Sequence, residues 1–162
     1  MQIEKALLTD IPALEEIYEN ARNYMRQNGN MHQWTGGYPQ REVIENDIKN
    51  GNLYKVTDNG EIVAVFCYFE GIDPTYNKIY DGEWLNQNPY GVIHRIAVSS
   101  HRKGVASFCF EYCLDRCQNL KIDTHRDNLP MRNSLIKNGF KECGIIYLLS
   151  GDERIAYQKV KF

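Results

Sequence analysis

SSHRKGVASF, residues Ser99 to Phe108, is the stretch on which the reading of this chain turns. An apolar run, VIHRIAV (92–98), precedes it, and a segment of helical character, VASFCFEYCLDRC (105–117), follows it. The first turn of a helix leaves backbone N–H groups unpaired and carries partial positive charge, so a strand–turn–helix junction can seat a phosphate. The turn holds a single glycine, Gly104, and matches neither G-x-x-x-x-G-K-[ST] nor G-x-G-x-x-G. Taken alone it favours an ordinary turn, and the surrounding chain has to decide.

Upstream, QIEKALL reads as a first strand. In TDIPALEEIYENARNYMRQNG, Thr9 or Asp10 serves as N-cap and Pro12 stands in the first turn, with Ile11, Leu14, Ile17, Tyr18 and Ala21 on one helical face. QREVIENDIKNG is a second short helix with Val43, Ile44 and Ile48 inward and Gly51 as its stop. NLYKVTD and EIVAVFCYFE flank Asn59-Gly60, a strong hairpin signal. From Gly71 to Tyr90 the chain is irregular and aromatic, a length of loop that a compact domain keeps for a use. GVIHRIAV is apolar enough for burial on both faces at the sheet centre. Downstream lie a short strand LKIDTH, a helix NLPMRNSLIKNG, and two strands, FKECGIIYLL and RIAYQKV. The order β-α-α-β-β-β-α-β-α-β-β predicts an α/β (α+β) sheet with helices on both faces.

With 162 residues the chain is expected to form one domain, residues 1–162, burying roughly 70% of its unfolded surface. Hydrophobic residues make up 43% and charged residues 25%, as in ordinary globular domains. Nineteen basic against twenty-one acidic residues argue against a nucleic-acid partner, though not against a local basic pocket. No run of about 18 apolar residues predicts a membrane span, and the N-terminus does not read as a signal peptide. The five cysteines therefore read as reduced thiols in a cytoplasmic protein. Cys109, Cys113 and Cys117 recur every four residues, but without a CxxC pair they read as core packing, and no metal is expected.

Two segments together change the weight given to the opening stretch. IHRIAVSSHRKGVAS (93–107) and IDTHRDNLPMRNSLIKNGF (122–140) resemble the two core motifs of the GNAT N-acetyltransferase superfamily. The first motif, [QR]-x-x-G-x-[GA], finds its tail in Gly104 and Ala106, with His101 where Gln or Arg is usual and Arg102 one place later as the other candidate for the basic role. Asn128, Lys137, Gly139 and Phe140 match the second. The resemblance implies a mixed, largely antiparallel sheet of about seven strands with a V-shaped split between the fourth and fifth. It implies acetyl-CoA as co-substrate, its pantetheine arm against Ile96, Ala97 and Val98. The pyrophosphate would lie over backbone N–H groups from Arg102, Lys103, Gly104, Val105, Ala106 and Ser107, with His101 also counted in the cofactor site, and Asn128 would reach the pantetheine or nearby CoA groups by its amide. Acetyl would pass directly to a primary amine of a small molecule or peptide. The family's frequent acid, a tyrosine four residues before Gly-Phe, is replaced by Leu135, so Tyr147 is considered in its place, and a non-catalytic acyl-CoA sensor on the same fold is the alternative.

Other candidates follow from residue type. His94 suits proton work near neutral pH; equally, it reads as a structural histidine sharing a strand face with Val92, Ile96 and Val98. Arg95, on the opposite face with Ile93 and Ala97, needs an anion, either a carboxylate of the fold or one of the substrate. His125 is a second candidate base, or else a helix cap or cofactor neighbour. Trp34, Tyr38, Trp84 and Tyr90, in HQWTGGYP and DGEWLNQNPYG, offer stacking faces for an acceptor pocket, although each alone also reads as a packing anchor. A homodimer through the last strands is a further expectation.

Overall fold

The computed structural model describes residues 1–99 and 102–161. A single sheet carries seven strands in the order β1-β2-β3-β4-β5-β7-β6. They are β1 (Gln2–Lys5), β2 (Leu53–Asp58), β3 (Glu61–Glu70), β4 (Gly91–Val98), β5 (Asn119–Thr124), β6 (Lys141–Tyr147) and β7 (Glu153–Val160). Every neighbouring pair is antiparallel except β4 and β5. Helices α1 (Ile11–Gln27) and α2 (Arg41–Lys49) cover one face; α3 (Val105–Cys117) and α4 (Leu129–Lys137) cover the other. The element order is the one the hydrophobic pattern predicts.

Local chemistry accounts for the boundaries. Ile11, Leu14, Ile17 and Tyr18 bury the inner stripe of α1, Met25 extends it, and Ala21 lies half-buried at its edge. Asn59 and Gly60 both take positive φ, 51° and 80°, as a two-residue turn matched to strand twist requires. Cys109 and Cys113 are fully buried among Phe110, Leu120 and Phe140, and burial pushes their thiols up, that of Cys109 to about 12. Among the described residues no group of three or more metal-ligating side chains is assembled, and no helix is long and apolar enough to cross a membrane.

Two features of β4 shape everything that follows. Its parallel pairing with β5 stops after Gly91–Leu120 and Val92–Lys121, so the two strands diverge from Ile93 onward. Opposite β3, Val65 pairs with Ala97 and Cys67 with His94, so one residue of β3 faces two of β4. This bulge falls at Arg95, whose φ is 51°. It overturns the simple alternation predicted for the strand. Ile93 and Ile96 pack toward α3, whereas Val92, His94, Arg95 and Ala97 all lie on the α1 side. His94 does not share a face with Ile96 and Val98, because the inserted residue inverts the period beyond it.

Candidate active site

A cleft of about 700 Å³ opens where β4 and β5 part. Ile96, Ala97 and Val98 form one wall, and beyond Val92 their strand has no β5 partner for its backbone. Asn20, Tyr24 and neighbouring α1 residues form a second wall, and Pro130, Met131 and Ser134 of α4 a third. Arg102, Lys103 and Ala106 close the end at the start of α3. Gly104 is the N-cap of α3 with φ 80°, and a Cβ there would meet nothing within 4 Å. The glycine is thus needed for its backbone conformation and not for space.

The predicted donor-site residues separate on inspection. Ile96, Ala97, Val98, Arg102, Lys103, Ala106 and Asn128 line the cleft. Val105 is buried behind it, Ser107 is half-buried on the next turn of α3, and His101 lies outside the described residues. Arg102 is turned away toward the β2–β3 hairpin, 2.8 Å from Asp58 and 3.4 Å from Glu61. Lys103 is exposed and makes no ion pair among the described residues. The Asn128 side chain caps α4 by accepting from the Met131 N–H at 3.2 Å, while its amide donates to Gln33 at 3.0 Å. Gln33 in turn accepts from Asn30 at 2.8 Å, which ties the loop after α1 to the start of α4.

The groups on the α1 side of β4 are held just as firmly. His94 Nε2 is 2.7 Å from an Asp73 carboxylate oxygen, and the other Asp73 oxygen accepts from both the backbone N–H and the hydroxyl of Thr75. Burial works to raise Asp73, but hydrogen bonds from His94 and Thr75, together with the His94 charge, hold it below the usual carboxylate range. The carboxylate fixes Nε2–H as the donor and leaves Nδ1 with its lone pair. The Tyr76 ring lies 6.1 Å from His94, and its hydroxyl donates to Asp123 of β5 at 2.6 Å. Arg95 sends two 2.8 Å hydrogen bonds to Asp47 of α2 and a third, of 3.0 Å, to the Tyr38 hydroxyl. Burial works against its charge, and the Asp47 hydrogen bonds outweigh that and hold the guanidinium above its ordinary value. Of the two partners weighed for Arg95, the structure supplies the one within the fold.

The aromatic candidates fall into two groups. Trp34 packs against Tyr18 and Tyr38 with centroids 5.6 and 6.4 Å away, close to Arg95. Trp84 and Tyr90 lie over β5 on either side of Lys121, whose Nζ is 3.9 Å from each ring centroid. Their indole and hydroxyl groups are used internally, on the Tyr76 carbonyl and the Asp73 N–H. Tyr147 stands on the edge strand β6, 44% exposed, against Tyr80, with β7 between it and β5. It is not among the residues that line the cleft. Sequence reasoning missed Asp47 and Asp73. Each had a weak local signal: Asp47 falls within the buried stripe of α2, and Asp73-Pro74 reads as the start of a helical turn.

No family model and no curated protein matches the chain. Among solved structures, an acetyltransferase of the GNAT family from Streptococcus agalactiae superposes with a TM-score of 0.91 at 32% identity, covering 99% of this chain and 95% of that one. A GNAT-family acetyltransferase from Listeria monocytogenes gives 0.70 at 16% identity, over 98% and 94% of the two chains. The ribosomal-protein-S18-alanine N-acetyltransferase of Escherichia coli gives 0.62 at 17% identity, over 98% and 92%. The last two speak for the fold alone. With the split between β4 and β5, the bulge at Arg95 and a relative one-third identical along nearly its whole length, the chain belongs to the GNAT family of acetyltransferases.

Proposed function

We propose that the chain moves an acetyl group from acetyl-CoA directly to a primary amine of a small molecule or peptide. The observation that carries this reading is the cleft itself: a length of β4 that β5 leaves unpaired at one end and the start of α3 with Lys103 at the other. Free strand N–H and C=O groups suit the amides of a pantetheine arm, and a helix start with a lysine beside it suits a pyrophosphate. Arg102, already paired with Asp58, is the lesser candidate for that phosphate contact. Acetyl-CoA supplies an activated thioester; the protein supplies position and proton movement. Backbone N–H groups near Val98 are placed to polarise the thioester carbonyl.

His94 is the general base. With Nε2–H held by Asp73, Nδ1 takes a proton from the acceptor ammonium, and Asp73 acts as a positioning residue that stabilises the charged imidazole. The amine nitrogen then bonds to the acetyl carbon, the carbon–sulfur bond breaks, the thiolate takes a proton from an acid of the protein, and the second proton that the nitrogen sheds restores that acid. Tyr24 is the tyrosine in the cleft wall and is better placed for that donation than Tyr147 on the edge strand.

Two measurements test the scheme. Acetyl-CoA at about 100 times its dissociation constant should add about 2.7 kcal/mol of stability, which is a rise in Tm of roughly 5–10 °C for a domain of this size. No shift at millimolar CoA overturns the donor site. His94→Ala should cut kcat with little change in acetyl-CoA affinity, and Asp73→Asn should lower kcat and displace its pH profile. A protein that binds acetyl-CoA but releases no thiol with any amine is instead the acyl-CoA sensor, a reading that the buried Leu135 at the usual acid position favours.

A further inference from the structure

A second cavity, of about 420 Å³, lies at the turn that joins β5 to α4. His125, Arg126 and Asp127 line it, and the next residue, Asn128, lines the donor cleft. His32 lines it as well, and the neighbouring Gln33 bonds Asn128. It opens on the sheet face that carries His94, because Asp123 of β5, two residues before His125, receives the Tyr76 hydroxyl beside the His94 ring. The turn from His125 to Asn128 thus contributes to both cavities.

The cavity contains a buried cation with little to hold it. Arg154 is 6% exposed, yet among the described residues its guanidinium makes one hydrogen bond, to the Glu153 carbonyl, and no ion pair. The antiparallel register that pairs Thr124 with Ile155 brings the next two residues, His125 and Arg154, side by side. His125 Nδ1 accepts from the Asp127 N–H at 3.0 Å, so its proton is on Nε2. Burial and the nearby Arg154 charge hold His125 below its ordinary value, outweighing the opposing pull of the Asp127 carboxylate. The ring is thus a neutral donor at pH 7. A buried guanidinium with unused N–H groups is costly unless an anion completes it.

We infer that Arg154 and His125 form the seat for a carboxylate on the acceptor, so that the amine acetylated by this protein belongs to a molecule that also carries a carboxylate. One planar guanidinium and one imidazole N–H match a monoanion. The acidic rim selects further. The Glu153 carboxylate is already engaged by Arg126 at 2.5 Å, the Asp127 carboxylate stands 3.8 Å from His125 Nδ1, on the ring edge opposite Nε2–H, and Asp152 makes no ion pair among the described residues. Their charge opposes a phosphate dianion and favours the ammonium group of an amino acid. Polyamines, which bring only positive charge, leave Arg154 uncompensated. This substrate class rests on the acetyl-transfer reading above, but the seat can be tested without it.

The probe pair is N-acetylglycine and N-acetylglycinamide, equal in size and different in charge, titrated into the wild-type protein while the His125 ring protons are followed by NMR. N-acetylglycine should shift them saturably, and the amide should not. Arg154→Gln should weaken N-acetylglycine binding at least tenfold while the thermal shift with CoA stays at its wild-type value. Arg154→Lys, which keeps the charge and loses the planar fork, should fall between. Equal binding of the two probes, binding of neither, or wild-type affinity in folded Arg154→Gln overturns the seat. Thiol release from acetyl-CoA with free amino acids against their amides is read separately. Activity confined to the amides overturns the substrate class, and no activity with either while N-acetylglycine still binds overturns the transfer reading instead.

Discussion

Asp47→Ala tests whether one ion pair beneath β4 sets the shape of the donor cleft. The Asp47 carboxylate takes two hydrogen bonds from Arg95, at 2.8 Å each, and the two side chains retain 11% and 19% of their accessible surface. Deleting the acid leaves the guanidinium with the Tyr38 hydroxyl at 3.0 Å and the Cys67 sulfur at 3.6 Å. Removing one partner of a buried pair costs about 3–5 kcal/mol, because the surviving charge stays desolvated without compensation. Water reaches part of Arg95, so about 3 kcal/mol is expected, or a fall in Tm of about 6–12 °C. The consequence should reach the cleft. Arg95 holds the bulge, and the Ile96–Val98 wall follows directly from it, so acetyl-CoA affinity should drop as well. Replacing both partners, with Asp47→Leu and Arg95→Met together, should recover much of the lost stability. Thermal and urea melts followed by circular dichroism supply the numbers. A Tm loss under 2 °C in Asp47→Ala, or a double variant less stable than the single one, refutes the reasoning.

Three further outcomes are expected. Lys121 lies buried between Trp84 and Tyr90, and burial pushes its ammonium down to about 8 from 10.5, so the unfolded chain binds the proton more readily. Stability should therefore rise between about pH 8 and 10.5, by up to about 3 kcal/mol more in wild type than in Lys121→Met; parallel pH profiles exclude this. Gly104→Ala should cost about 1–2 kcal/mol from its positive φ alone, and Gly104→Asn less, measured by urea midpoint; no loss in Gly104→Ala refutes the assigned conformation. Cys67, Cys109 and Cys113 are almost wholly enclosed and their thiols are raised, so a thiol reagent at pH 8 should label Cys117 first and reach those three only on unfolding. Rapid native labelling of Cys109 or Cys113 contradicts the packing.

The order of elements was legible because each rests on local chemistry: the apolar stripe of α1, the Asn59-Gly60 turn, the unbroken apolar run of β4. Part of the donor cleft was legible too, at the end of β4, the start of α3 and Asn128, whereas the α1 wall with Asn20 and Tyr24 carried no motif and was missed. What the sequence hid are contacts between distant positions. Nothing in HRIAV marks an arginine with φ 51°, because the conformation is imposed by Asp47, 48 positions away, and by the Tyr18 hydroxyl on the Arg95 carbonyl at 2.8 Å. Asp73 looks like a cap for the turn that follows it, and it is one; its other oxygen meets His94 only after the loop folds onto the sheet. Arg102 was read toward a phosphate and is instead engaged by Asp58, a residue of a hairpin whose proximity no local pattern reveals.

The bulge and the split are best understood as one device. Parallel strands that stay paired would bury the β4 backbone in ladder hydrogen bonds and leave nothing to offer a ligand. By ending the ladder at Val92, the sheet exposes that backbone. By inserting Arg95, it turns His94 and Arg95 together onto the face away from α3, where Asp73 and Asp47 receive them. A single inserted residue thus separates the open edge at Ile96–Val98 from the His94–Asp73 pair on the same strand. The Arg154 cavity lies on the His94 side of that division, and the start of α3 closes the donor cleft on the other. An acceptor seated at Arg154 and a donor lying along Ile96–Val98 would then be coupled through the turn from His125 to Asn128, whose first three residues line one cavity and whose last lines the other.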